Sequence, residues 1–74
     1  MNQRLTFDVF GRLMAVRREA SHWRLYDVST PGKRVPVQDV QLPDDLQETE
    51  IAGFLDDIYH EWATPERVSV ERLR

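Results

Sequence analysis

RLTFDVFGRLMAVRREASHWRLYDV, residues 4 to 28, opens in strict alternation: Leu5, Phe7 and Val9 fall on one side, Arg4, Thr6 and Asp8 on the other. A period of two marks a half-buried strand. Gly11 interrupts the pattern and LMAVRRE resumes it, so strands over about 4–10 and 12–19 are expected to form a hairpin turning at Phe10 and Gly11. EASH makes the next break. WRLYDV then gives a third strand, about 22–28, with Trp23 and Leu25 on one face and Arg24 and Tyr26 on the other.

In STPGKR, Pro31 presets φ for the first central position of a turn and Gly32 supplies the positive φ that a type II turn needs at the second. RVPVQDV reads as a fourth strand, about 34–40, confined to an edge or a bulge because Pro36 has no N–H to donate. The period changes in LPDDLQETEIAGFLDDIYHEWA. Ile51, Leu55, Ile58 and Trp62 form one helical stripe, which predicts a helix over about 46–63. Asp45 and Glu48 fit a capping box at its start, and Pro65 limits its end. Residues 65–74 read two ways: Val68 and Val70 alternate as in a short strand, whereas TPE fits an N-cap with proline at the first helical position. The strand, or a partly ordered tail, is preferred.

The expected architecture is a single α+β domain over 1–74: an antiparallel three- to four-stranded meander, one amphipathic helix packed on one face, and room for a short C-terminal strand. One helix covers only one side of a sheet. Phe10 and Tyr26, with part of LMAV, do not all fit beneath it beside Leu5, Phe7, Val9, Trp23 and Leu25, so apolar surface is expected to remain for a partner or a second copy of the chain.

A chain of 74 residues buries only about 60% of the surface it exposes when unfolded. Without cysteine it has no disulfide and no thiolate nucleophile, and small domains of this kind gain stability by oligomerising. The charge spacing of MNQRLTFDVFGR does not fit a signal peptide, and LMAV, the longest apolar run, is far too short to span a membrane, so the cytoplasm is the expected compartment. Charge is uneven along the chain. Residues 1–34 carry seven Lys/Arg against three Asp/Glu, whereas residues 35–63 carry eight acids and no Lys or Arg. Folding the two halves together is expected to cancel their fields within a Debye length.

DDIYHEWATP, residues 56 to 65, is the strongest chemical lead. On a helical wheel, however, Asp56, Asp57 and His60 point away from the stripe of Ile51, Leu55, Ile58 and Trp62. An exposed imidazole lacks the burial that tunes a general acid or base. Asp56 and His60 are only two of the three or four ligands a zinc ion takes, and Thr64 stands where the zinc-protease spacing requires a second histidine. No catalytic residue, metal ligand or cofactor is therefore expected. His60 and Glu61 remain as secondary candidates, Glu61 at the edge of the buried stripe, within reach of a backbone amide or an arginine. Arg17, Arg18, Arg24, Lys33 and Arg34, interleaved with Trp23 and Tyr26, read as a basic face with stacking aromatics for single-stranded nucleic acid. A sequence pI near 5.2 opposes that reading.

FDVFGR at 7–12, Trp23, GKR at 32–34, LPDDL at 42–46 and HEWATP at 60–65 together resemble a family of short bacterial proteins of unknown function, over residues 7 to about 70. The resemblance implies a compact domain and no particular reaction, cofactor or site residue, and its HE pair keeps a role open for His60 and Glu61. The chain is thus expected to be a non-enzymatic protein-interaction module or homodimer, with Phe10, Tyr26, Arg17, Arg18 and Arg24 on the interacting surface. The alternative is a nucleic-acid-associated regulator using the basic hairpins.

Overall fold

The computed structural model of the protein describes residues 4–73; residues 1–3, and residue 74 of the expected tail, lie outside the described residues. Strands β1 (Arg4–Val9), β2 (Arg12–Glu19) and β3 (His22–Asp27) form the expected antiparallel meander, continued by β4 (Val35–Pro36). A fifth strand, β5 (Glu71–Arg72), joins the other edge, giving the order β4-β3-β2-β1-β5. One helical stretch, α1 (Ile51–Tyr59) with a 3₁₀ turn at each end, packs on one face. Among the described residues no helix is long and apolar enough to cross a membrane.

Both hairpins close with two residues. Phe10 and Gly11 have φ of 51° and 93°, and Ala20 and Ser21 have φ of 48° and 71°. Positive φ at both central positions is what a type I′ turn demands, and it matches the twist of the flanking strands. Gly11 adopts it freely and gives its N–H to Asp8 Oδ1 at 2.7 Å. Phe10 does so against its side chain, and the offset is burial: its ring lies in the core, edge-on to His60 at 6.4 Å. Ala20 and Ser21 are exposed and have no such offset. Replacing them with Asn-Gly should therefore raise stability by roughly 1–2 kcal/mol, read as a higher urea midpoint with an unchanged slope.

The Pro31-Gly32 turn forms as read, with Gly32 at φ 77° and the Lys33 N–H on the Thr30 carbonyl at 3.1 Å. The strand after it is much shorter than the expected 34–40. It pairs Val35 with Asp27 and Pro36 with Tyr26, and its last bond runs from the Val37 N–H to the Leu25 carbonyl at 2.9 Å. Register explains the stop. One further pair would bring Gln38 opposite Arg24, and the next would set Asp39 opposite Trp23, on the apolar side of the sheet, where an unpaired carboxylate is costly. The chain peels away from β3 instead.

The helical stretch is framed differently from the sequence reading. Gln47, not Asp45, is the N-cap, and its N–H is accepted by Glu50 Oε1 at 2.9 Å. The neighbouring Asp44 binds the sheet: its carboxylate meets His22 Nδ1 at 2.9 Å and its carbonyl accepts from Arg18 at 2.8 Å. With the Trp23 indole donating to the Leu46 carbonyl at 2.9 Å, these bonds hold the 42–46 loop over the ends of β2 and β3. Ile51 and Leu55 are fully buried against Leu5, Phe7 and Val9, but Ile58 is 37% exposed. Ala52 and Tyr59 pack on the other flank of Leu55, which leaves Ile58 at the edge of the buried side, and the last turn tightens to 3₁₀ over His60–Trp62. That geometry eclipses residues three apart, and Tyr59 stacks on Trp62 at 4.5 Å.

The tail starts no new helix. Thr64 and Arg67 exchange backbone bonds of 3.0 Å around Pro65 and Glu66. The C-terminal strand lies beyond Val68 and Val70: Arg72 pairs with Phe7, Glu71 with Asp8, and the Leu73 N–H reaches the Thr6 carbonyl at 2.8 Å. Val70 fills the core and gives its N–H to Asp56 Oδ2 at 3.1 Å, so Asp56 fastens the tail to the helix.

Candidate functional site

The alternation that buries Leu5, Phe7 and Val9 beneath the helix sends Arg4, Thr6 and Asp8 to the opposite, uncovered face. Register then aligns β1, β2 and β3 on that face in rows. Arg4 stands opposite Arg17, and Arg17 opposite Arg24, so three guanidiniums lie side by side across three strands. Like charges directly opposite one another destabilise a sheet. Among the described residues their one close carboxylate is Glu19, whose oxygens lie 3.8 Å from Arg17 Nε and 3.8 Å from Arg24 Nε. A surplus of positive charge is left at the surface, in side chains whose planar fork suits bidentate binding of carboxylates.

The neighbouring row is apolar: Leu73, Thr6, Ala15, Tyr26 and Pro36. Ala15 is fully buried between its larger neighbours. Tyr26 is closed off too, with the Arg34 guanidinium 4.8 Å above its ring and its hydroxyl donating to Glu19 Oε2 at 2.8 Å. Leu13 and Leu73 are 38% and 52% exposed. Leu13 and Arg4 line two shallow depressions, one of about 580 Å³ rimmed by Lys33 and Arg34 and one of about 430 Å³ lined also by Leu73.

The hydrogen bond to Glu19, then burial, raises the Tyr26 pKa above its ordinary value. The folded state thus favours the neutral phenol, so this contribution to stability is complete below about pH 10 and is lost as pH rises through the folded-state pKa. Tyr26→Phe should flatten the alkaline limb of the stability profile, measured by urea unfolding across pH, and leave its acid limb unchanged.

The expected interaction surface is therefore redrawn. Arg17 and Arg24 lie on the open face. Arg18 does not: it pairs across from Trp23 on the helix side and lies 4.6 Å over the indole ring. Phe10 is a core residue, because the turn tips its ring under the end of the helix, and Tyr26, although on the open face, is sealed by Arg34 and Glu19. The stacking platform expected for single-stranded nucleic acid does not form, since Trp23 and Tyr26 point to opposite faces and neither ring is free. Arg4, Leu13 and Leu73 do not stand out in the sequence. Period two alone separates Arg17 from Arg18, whereas only the register places Arg4 beside Arg17.

The two charged halves meet at Asp44, which binds His22 and Arg18, and elsewhere among the described residues stay apart. Arg17 and Arg24 pair with Glu19, and Arg12 with Asp27, within the basic half. Glu50, Asp57 and Glu61 lie exposed on the helix. The shortest dimension of the molecule is 23 Å, against a Debye length of about 8 Å in physiological salt, so each face presents its own field. His60 is solvent-facing, its side chain 72% exposed and Nδ1 3.3 Å from Asp56 Oδ1, and Glu61 is exposed beside it. Among the described residues no three His, Asp or Glu side chains converge on a common point.

Fold and face together define a small antiparallel α+β domain with a helix-covered apolar side and an arginine-bearing open side. The chain belongs to the family described as a domain of unknown function, DUF7661, whose family model matches residues 4–74. No curated protein and no solved structure matches it.

Proposed function

We propose that the protein is a non-enzymatic interaction module that docks an acidic polypeptide segment on its open sheet face. The observation that carries this reading is the Arg4–Arg17–Arg24 row, three like charges held together with Glu19 as their one close counter-charge among the described residues. An arrangement unfavourable to the free domain becomes favourable when carboxylates arrive. Exposed Leu73 in the adjoining row, and Leu13 in the row beyond it, line depressions together with Arg4 and call for apolar side chains in the same segment. A polypeptide meets both demands better than a phosphodiester chain, for which the face offers no free aromatic ring. Two-fold pairing of this face about an axis along the strands would set arginine rows against each other, which disfavours that homodimer.

The test is titration calorimetry at low and moderate salt with a short capped peptide of alternating glutamate and valine, and with an oligothymidylate of equal length. Saturable peptide binding that weakens only severalfold with salt is expected. Tighter binding of the oligonucleotide, with a steep salt dependence, would transfer the site to nucleic acid. Absence of peptide binding would sink the proposal.

A further inference from the structure

From this reading of the open face, and resting on it, we infer how the acidic segment is held: it adds as an extended strand to the free edge of β3, with an acidic residue opposite Arg24.

The edge itself supplies the first argument. The Leu25 carbonyl, which takes the Val37 N–H, points away from β2, so the N–H of Leu25 and both backbone groups of Trp23 point the same way. Among the described residues the Val37 bond is the last backbone bond along this edge, and beyond it the chain leaves a groove of about 360 Å³ between His22–Leu25 and Pro36–Gln41. An unpaired strand edge beside an open groove is the setting in which peptides join a sheet.

The chain's own strand is the wrong occupant. Carried on in register it would offer Gln38 to Arg24 and Asp39 to the Trp23 side, an amide where charge is wanted and a charge where an apolar group is wanted. A second copy of β3 fails as well, because antiparallel self-pairing centred on Trp23 would bring Arg24 opposite His22. The site fits the opposite alternation. A residue opposite Arg24 lies on the open face and extends the row Arg4–Arg17–Arg24 by one position, so an aspartate or glutamate there caps the row with the missing negative charge. The position opposite Leu25 is held by Val37, so the acid has one neighbour along this edge, opposite Trp23; it points to the other side, against Val40 in the groove, and is apolar.

Strand addition makes a demand that charge attraction alone does not. In an added strand the residue paired with Trp23 turns its N–H toward β3, while the residue opposite Arg24 turns its N–H away. The probe is the capped peptide of alternating valine and glutamate in three forms: unmodified, N-methylated at the valines, and N-methylated at the glutamates. The two methylated forms are isomers of equal charge. Expected results are shifts of the Trp23 and Arg24 amide resonances on adding the unmodified peptide, at least tenfold weaker binding of the valine-methylated form, and near-equal binding of the glutamate-methylated form. Arg24→Gln, at an exposed position, should weaken the unmodified peptide about tenfold with its backbone shifts otherwise native. Equal binding of both isomers, with shifts confined to Leu13, Arg4 and their neighbours, would overturn strand addition and leave the acidic-partner reading standing. No binding by any of the three would overturn both.

Discussion

Phe7→Ala should remove a large part of the domain's stability, about 3–5 kcal/mol. Phe7 is 0% exposed, belongs to β1 between β2 and β5, and packs with Met14, Ile51 and Leu55, so its ring joins both layers of the core. Truncating a buried phenylalanine to alanine costs about 3–5 kcal/mol through lost transfer energy and the cavity left behind. At about 0.05–0.15 kcal/mol per residue, a chain of this length holds only roughly 4–11 kcal/mol in all. With each kilocalorie worth about 4–8 °C in a domain this small, the melting temperature should fall by roughly 15–30 °C. Val68→Ala is the control: its side chain is 68% exposed, and it should change stability by no more than about 0.5 kcal/mol. A Phe7→Ala variant that melts within a few degrees of the parent would show that the core is not organised around β1.

Neutralising the arginine row should separate stability from binding. In Arg4→Gln/Arg17→Gln/Arg24→Gln the long polar side chains remain and the mutual repulsion disappears. Cross-strand pairs contribute about 0.2–1 kcal/mol each, and the loss of the Glu19 ion pairs offsets part of the gain, so stability should hold or rise by up to about 1 kcal/mol. Binding of the acidic peptide should fall about a hundredfold, since charge-assisted bonds contribute about 1.5–3 kcal/mol each when they form in partly desolvated sites. A site kept for folding would show the reverse, a clear loss of stability with any binding unchanged.

Much of this fold is legible from short-range pattern. The alternation of Leu5, Phe7 and Val9, the Phe10-Gly11 turn, the Pro31-Gly32 turn and the buried pair Ile51 and Leu55 each depend on neighbours within a few positions, and the chain forms them as read. What escapes the sequence depends on register. The fourth strand stops at Val37 because Asp39 would meet Trp23, a conflict visible only once Asp27 is known to pair with Val35. The C-terminal strand lies at Glu71–Arg72 rather than across Val68 and Val70 because Asp56 takes the Val70 N–H first. The arginine row combines residues 4, 17 and 24, which no local window contains, and the run Arg17-Arg18 draws attention to a side chain that belongs to the other face.

The helix wheel misplaces Ile58 for a related reason. Its stripe is centred between Ile51 and Ile58, whereas the side that packs is centred on Leu55 with Ala52 and Tyr59, a choice made by contact with the sheet. The outward placement of His60 survives this change, because it lies far from the buried side on either geometry. Arg12 meanwhile lies over the Trp62 ring at 4.6 Å, so the conspicuous aromatic end of the helix is capped by a cation from the sheet rather than left open to a ligand.

The most direct measurement is the movement of the arginine side-chain Nε–H resonances during titration of the labelled protein with the acidic valine–glutamate peptide. The resonances of Arg4, Arg17 and Arg24 should shift together and saturate at one affinity, with those of Arg12 and Arg72, which lie on the helix side, unmoved. Shifts confined to the helix side, or no saturable shift in the row, would contradict the assignment of the open face as the binding surface.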